Sequence, residues 1–255
     1  MQKVEAKYHE SFPPGDQATE VLYTEGVENC ITKNLYSVLF GDIGVGNASG
    51  QASEQNAAHM EEIEQNKQIR DSIAKFGAFV KPRHLELDEK RLIEDQVQKA
   101  CHQFTSINKL KTPKGKLNSI INFSKVISMM LQESSKDGTP DGADMFFPCA
   151  VYALLQLQKY EVEGTNSTKL LRSNLQYVRM FRQESLLHGQ DEYYLTTLES
   201  VIEFIQNLSE TYRTNLKLEP GEDFPSELDQ WMWSEPQPSA PDADAAPGKG
   251  ASSHQ

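Results

Sequence analysis

The residues best placed to do chemistry are one aspartate and a tyrosine–threonine pair. Asp144 stands in Gly142-Ala143-Asp144-Met145-Phe146-Phe147-Pro148, just ahead of the nearly all-apolar run 149–157. Pro148 has no amide hydrogen, so a helix accepts it in its first turn or bends around it. That puts Asp144 at or near a helix N-terminus. Two readings follow. The carboxylate caps the helix, a contribution of about 1 kcal/mol, or, rimmed by Met145, Phe146 and Phe147, it is an acid offered to another protein. Tyr193 and Thr196 lie three apart in Tyr193-Tyr194-Leu195-Thr196-Thr197-Leu198-Glu199-Ser200 and share one helix face. Tyr194 falls on the apolar stripe with Leu198, where core packing explains it. The Tyr193 face is either a half-exposed surface without a role or a contact.

Other chemistry has little support. There is no Gly-x-x-x-x-Gly-Lys-Ser/Thr loop for nucleotide phosphates. Gly41, Gly44 and Gly46 follow a helical pattern rather than a strand, so a dinucleotide loop fails its context. Cys30, Cys101 and Cys149 are widely spaced, and six histidines are scattered, so no metal site and no cofactor are expected. No Ser/His/Asp set assembles. The odd cysteine count and a start without an apolar signal stretch point to reduced thiols in the cytosol.

The elements that must carry these residues read as helices. Val27, Ile31, Leu35 and Leu39 recur at helical spacing, as do Ile69, Ile73 and Phe76 before Gly77. Ile93, Val97, Ala100 and Phe104 mark a third helix. Leu117, Ile120, Ser124, Ile127 and Leu131 mark a fourth, after a turn at Thr112-Pro113-Lys114-Gly115. Residues 149–157 predict a buried central helix. Leu171, Leu175 and Val178 give another, ended by His188-Gly189. Tyr194, Leu198, Val201, Ile205 and Leu208 give the last. The fold class expected is all-α: one layered helical domain over residues 20–212, with a long loop at 41–58, a flexible segment at 1–19 and an extension at 213–255.

Charge sharpens that division. The chain of 255 residues has a formal net charge of −12 and a mean hydropathy of −0.58. Residues 219–255 hold eight acids against one lysine, and six of the 12 prolines. From Ser234 onward the composition predicts disorder. Phe224, Leu228, Trp231 and Met232 suggest a short helix at 224–233, either docked on the domain or acting as an inhibitory or partner segment. The acidic excess argues against general nucleic-acid binding, and no apolar run reaches the ~20 residues of a membrane span.

Three stretches then stand together: Ala143-Asp144-Met145-Phe146-Phe147-Pro148, Ser173-Asn174-Leu175-Gln176-Tyr177-Val178, and Tyr193-Tyr194-Leu195-Thr196-Thr197-Leu198. In order and approximate spacing they resemble the VPS9 (vacuolar protein sorting nine) domain of exchange factors for Rab-five-type GTPases. Lys114-Gly115-Lys116-Leu117 and Lys125-Val126-Ile127 resemble a further helix of that family. The resemblance, over residues 23–208, implies an all-α domain that stimulates GDP release from an endosomal Rab GTPase, with no covalent chemistry. It implies that Asp144 is the catalytic acidic finger, and that Met145, Phe146, Pro148, Asn174, Tyr193 and Thr196 serve GTPase binding. It implies a cytoplasmic protein recruited peripherally to early endosomes, meeting the GDP-bound or nucleotide-free GTPase. There are departures: Met145 replaces a second acid, Thr197 an asparagine, and the connection 158–169 is longer than the family's. These leave a catalytically weak or inactive Rab-binding scaffold as the alternative, and a structural helical domain with unrelated partners as a third reading.

Overall fold

The computed structural model describes residues 17–40, 54–89, 92–134, 142–161 and 166–222. Contacts divide the chain into units 1–222 and 223–255. Residues 41–53 of the expected loop at 41–58, residues 1–16 of the expected flexible segment at 1–19, the short helix at 224–233 and the acidic tail lie outside the described residues, while residues 17–19 belong to a helix. Within those residues there are nine α-helices, three short 3-10 turns and no strand.

The helices are α1 (Gln17–Asn34), α2 (Tyr36–Leu39), α3 (Glu54–Gly77), α4 (Glu94–Thr105), α5 (Pro113–Ser134), α6 (Gly142–Leu155), α7 (Leu171–Phe181), α8 (Gln190–Gln206) and α9 (Leu208–Asn215). Helix α5 lies at the centre, against α1, α4, α6, α7 and α8. Its start is written locally. The Thr112 hydroxyl accepts the Gly115 N–H at 3.1 Å, and Pro113 needs no donor there. The expected turn is therefore this helix's cap. Its stripe of Leu117, Ile120, Ser124, Ile127 and Leu131 is buried, as read from periodicity.

Helix α3 begins at Glu54, so the last part of the expected loop at 41–58 is helical. Its polar first turns gave no apolar period to read. It ends at Gly77, where a Cβ would meet the Leu155 carbonyl oxygen at 2.5 Å. That glycine lets α3 reach the end of α6. Farther back, Asn66 Oδ1 accepts the N–H groups of Arg172 and Ser173 at 3.1 and 3.4 Å. One helix thus satisfies donors that the first turn of α7 leaves open.

Two expectations are corrected by buried charge. Of the apolar series on α1 and α2, Val27, Ile31 and Leu39 are half-buried and Leu35 is exposed, while Glu28, Thr32 and Phe40 face inward. Glu28 turns inward because Arg182 donates to it at 3.0 Å and the Gln183 N–H at 2.7 Å. The same bonds end α7 at Phe181, well before His188-Gly189. Glu25 joins the cluster with Arg182, at 2.8 Å, and with Lys114. Burial pushes the Glu25 carboxyl up, but the Lys114 and Arg182 hydrogen bonds outweigh it and hold it below its usual value.

The compact unit also outruns residue 212. Helix α9 reaches Asn215, the Lys217 N–H donates to the His84 carbonyl at 2.9 Å, and Arg83 pairs with Glu222 at 2.7 Å.

Candidate functional site

Asp144 sits in the first turn of α6, where the helix dipole favours a negative charge. Its side chain is exposed and has no hydrogen bond or ion pair among the described residues. A cap would accept nearby N–H groups; this carboxylate accepts none of them. Pro148 lies inside the helix, four residues on, and has no N–H to give the Asp144 carbonyl. The turn carrying Asp144 is thus less tied to its own helix than a regular turn.

Phe146 joins that turn to α8. It is buried, with its ring 5.6 Å from Tyr194 and 6.2 Å from Tyr193. Phe147 packs edge-on against Phe204, ring centroids 5.8 Å apart, and adds a second tie between α6 and α8. Tyr194 is buried too. Its hydroxyl lies 3.3 Å from Ser128 Oγ of α5 and accepts from Gln190 Nε2 at 3.1 Å. Three helices therefore meet at one phenol, and what they turn outward is Asp144, Tyr193 and Met129. Tyr193 is 48% exposed and Met129 56%.

Thr196 lies one turn further along α8 and is exposed. Arg179 of α7 donates to its hydroxyl at 3.0 Å. Met145 and Pro148 are half-buried beside the Asp144 turn.

Two expected contact residues are placed differently. Phe146 is only 3% exposed, so it supports the face rather than presenting itself. Asn174 is wholly buried. Its Oδ1 accepts from Lys116 Nζ at 2.6 Å, while its Nδ2 donates to Asn108 Oδ1 at 2.6 Å and the Leu170 carbonyl at 2.7 Å. Every polar atom of that amide is used inside the fold, so no direct contact with a partner is open to it.

Lys116, which sequence reasoning treated only as part of a motif, is the centre of that interior. It donates to the Ile107 carbonyl at 2.9 Å and lies over the rings of Phe40, Tyr36 and Tyr177, at 4.5, 5.3 and 5.8 Å. Burial pulls its pKa down to about 7. Arg179 also escaped notice. The signal for it was two acids, Glu192 and Glu199, seven apart with Thr196 between them. Elsewhere a groove of about 860 Å³ runs between α3, α7 and α8, past Arg172, Arg179 and Glu199; Asp144 and Tyr193 do not line it. Among the described residues no His/Cys/Asp/Glu cluster could hold a metal, and no helix is long and apolar enough to cross a membrane.

Residues 97–210 match the Vacuolar sorting protein 9 (VPS9) domain. The match includes α5 to α8 and with them every residue of the site. Among its relatives, vacuolar protein sorting-associated protein vps901 of Schizosaccharomyces pombe is 26% identical over 200 residues, covering 78% of this chain and 32% of that protein. Vacuolar protein sorting-associated protein 9A of rice is 23% identical over 212 residues, 82% of this chain and 39% of that one. Human Ras and Rab interactor 2 is 24% identical over 210 residues, 81% of this chain and 20% of that one. The chain thus spans between about a fifth and two fifths of the length of these relatives.

Proposed function

We propose that this chain is a guanine nucleotide exchange factor for a Rab GTPase of the Rab-five type, acting in endosomal traffic from a peripheral position on the membrane. The observation that carries the reading is Asp144: an exposed carboxylate without a partner among the described residues, in a helix turn that Phe146 anchors to the exposed Tyr193 face. The VPS9 match and the relatives named for vacuolar sorting and Rab interaction support it.

A GTPase holds GDP through Mg²⁺ and a phosphate-binding lysine. An exchange factor forms no covalent bond; it stabilises the nucleotide-free state. Asp144 enters the nucleotide site and pairs with that lysine, and its charge opposes the β-phosphate. At 4 Å and an effective dielectric constant near 20, such a pair is worth about 4 kcal/mol before desolvation. The effect is reciprocal: the factor weakens the nucleotide, and incoming GTP expels the factor. Tyr193 and Thr196 hold the GTPase against the face while Met145 lines the groove beside the acid.

The scaffold alternative drew on the long 158–169 connection. Its described part is bonded to α4, through Lys159 and Tyr160 to Glu94 at 2.7 and 2.8 Å, and Asn166 to the turn at Asn108. The change therefore falls on contacts other than those that build the Asp144 face. Release of a fluorescent GDP across a panel of Rab proteins tests the reading. Acceleration on at least one Rab-five-type member is expected; stable binding with no acceleration on any Rab would establish the scaffold instead.

A further inference from the structure

Thr196 shares its face of α8 with two acids. Glu192, Thr196 and Glu199 fall at i, i+4 and i+7, one stripe of the helix. Arg179, reaching across from α7, covers all three. Its Nε and Nη2 hold the Glu199 carboxylate as a fork, at 3.1 and 2.7 Å. Its Nη2 also donates to Thr196 Oγ1 at 3.0 Å, and its Nη1 lies 3.6 Å from Glu192. A planar guanidinium can make this set of contacts, whereas an ammonium is a single point charge. The surroundings are otherwise acidic: Glu61, Glu62 and Glu203 line the adjoining groove, with Arg172 as the other cation there.

A threonine hydroxyl has one proton and two lone pairs. Arg179 fills a lone pair and leaves the proton to donate. No acceptor for that proton is found among the described residues, and Thr196 is exposed. The group that Thr196 is set to meet is therefore an acceptor, a carbonyl or carboxylate oxygen. Two uncovered carboxylates beside it would repel such a group.

We infer that Arg179 is a positioning residue for the GTPase contact: it fixes the Thr196 hydroxyl as a donor to an acceptor on the docked GTPase, pairs with Glu199 and partly offsets the charge of Glu192. The inference rests on the exchange-factor reading. It concerns binding of the GTPase, not the step at the nucleotide, so it predicts a change in KM rather than in kcat.

The test is steady-state exchange, on whichever Rab the wild-type chain activates, by the wild type, Arg179→Ala, Arg179→Gln, Thr196→Val and the Arg179→Ala/Thr196→Val pair. Arg179→Ala and Arg179→Gln are expected to raise KM about fivefold to tenfold, with kcat within about twofold. In the Thr196→Val background Arg179→Ala should raise KM by less than it does in the wild type, because the part that acts through Thr196 is already lost. Full additivity, an unchanged KM, or a loss confined to kcat overturns the inference and leaves the exchange activity standing. Absence of exchange by the wild type on every Rab overturns the parent reading and this one with it.

Discussion

Replacing Lys116 by methionine keeps the length of the side chain and removes its charge. The wild-type ammonium is wholly buried, bonded to the Ile107 carbonyl at 2.9 Å and to Asn174 Oδ1 at 2.6 Å. Burial lowers its pKa from 10.5 to about 7. In the unfolded chain the ordinary value returns. Below about pH 7 both states are protonated, and the folded state bears the full cost of a buried charge. Between about 7 and 10.5 the unfolded chain holds more protons than the folded one, so stability rises with pH. From pH 7 to 9 the rise from this one group is about 2 kcal/mol. Methionine does not titrate, and other groups cancel in the difference between the two proteins. The stability of the wild type minus that of Lys116→Met should therefore grow by about 2 kcal/mol across that window. Urea unfolding of both proteins at several pH values measures it. Methionine also leaves the two acceptors without a donor, at about 1–3 kcal/mol each. That offset is independent of pH, so the slope is the test. A difference that stays flat from pH 7 to 9 would mean instead that the rings and acceptors keep Lys116 charged throughout.

Three further outcomes follow from the same contacts. Arg182→Ala leaves Glu28 buried and without its cation, and should cost about 3–5 kcal/mol in urea unfolding; a loss under about 1 kcal/mol would show that water reaches Glu28. Tyr194→Phe removes the bonds to Ser128 and Gln190 and should cost about 0.5–1.5 kcal/mol; no change would mean that the phenol does not tie α5 to α8. Burial pushes the Cys101 and Cys149 thiols up to about 12, while Cys30 is exposed. Iodoacetamide on the native protein should then give one adduct by mass spectrometry, on Cys30. Labelling of Cys101 or Cys149 without denaturant would contradict the burial.

The sequence was most readable where a helix buries an apolar stripe. Leu117 to Leu131 on α5, and Tyr194 to Leu208 over α8 and the start of α9, lie inside as their spacing requires. Reading failed where burial is polar. On α1 the inward face carries Glu28 and Thr32, and no periodicity of apolar residues reveals a carboxylate whose partner is 154 positions away. The end of α7 was misplaced for the same reason, because Gln183 gives its N–H to Glu28 instead of continuing the helix. At the site, motif order singled out Asp144, Tyr193 and Thr196, and the structure leaves all three exposed. The middle stretch, 173–178, pointed to Asn174 without distinguishing a residue that touches a partner from one that holds Lys116 in the core. Arg179 belongs to none of the motif positions considered. Only the packing of α7 against α8 brings it to Thr196.

The central claim is that the Asp144 carboxylate drives nucleotide release. Asp144→Asn keeps the shape of the side chain and removes its charge. Since Asp144 makes no bond within the described chain, Asp144→Asn should lose only the favourable interaction of its charge with the helix dipole, about 0.3–1 kcal/mol in urea unfolding. Stopped-flow release of fluorescent GDP from the Rab that the wild type activates is the decisive measurement. A rate about a hundredfold lower is expected for Asp144→Asn, the equivalent of about 2.7 kcal/mol in the barrier. Release by Asp144→Asn as fast as by the wild type would contradict it.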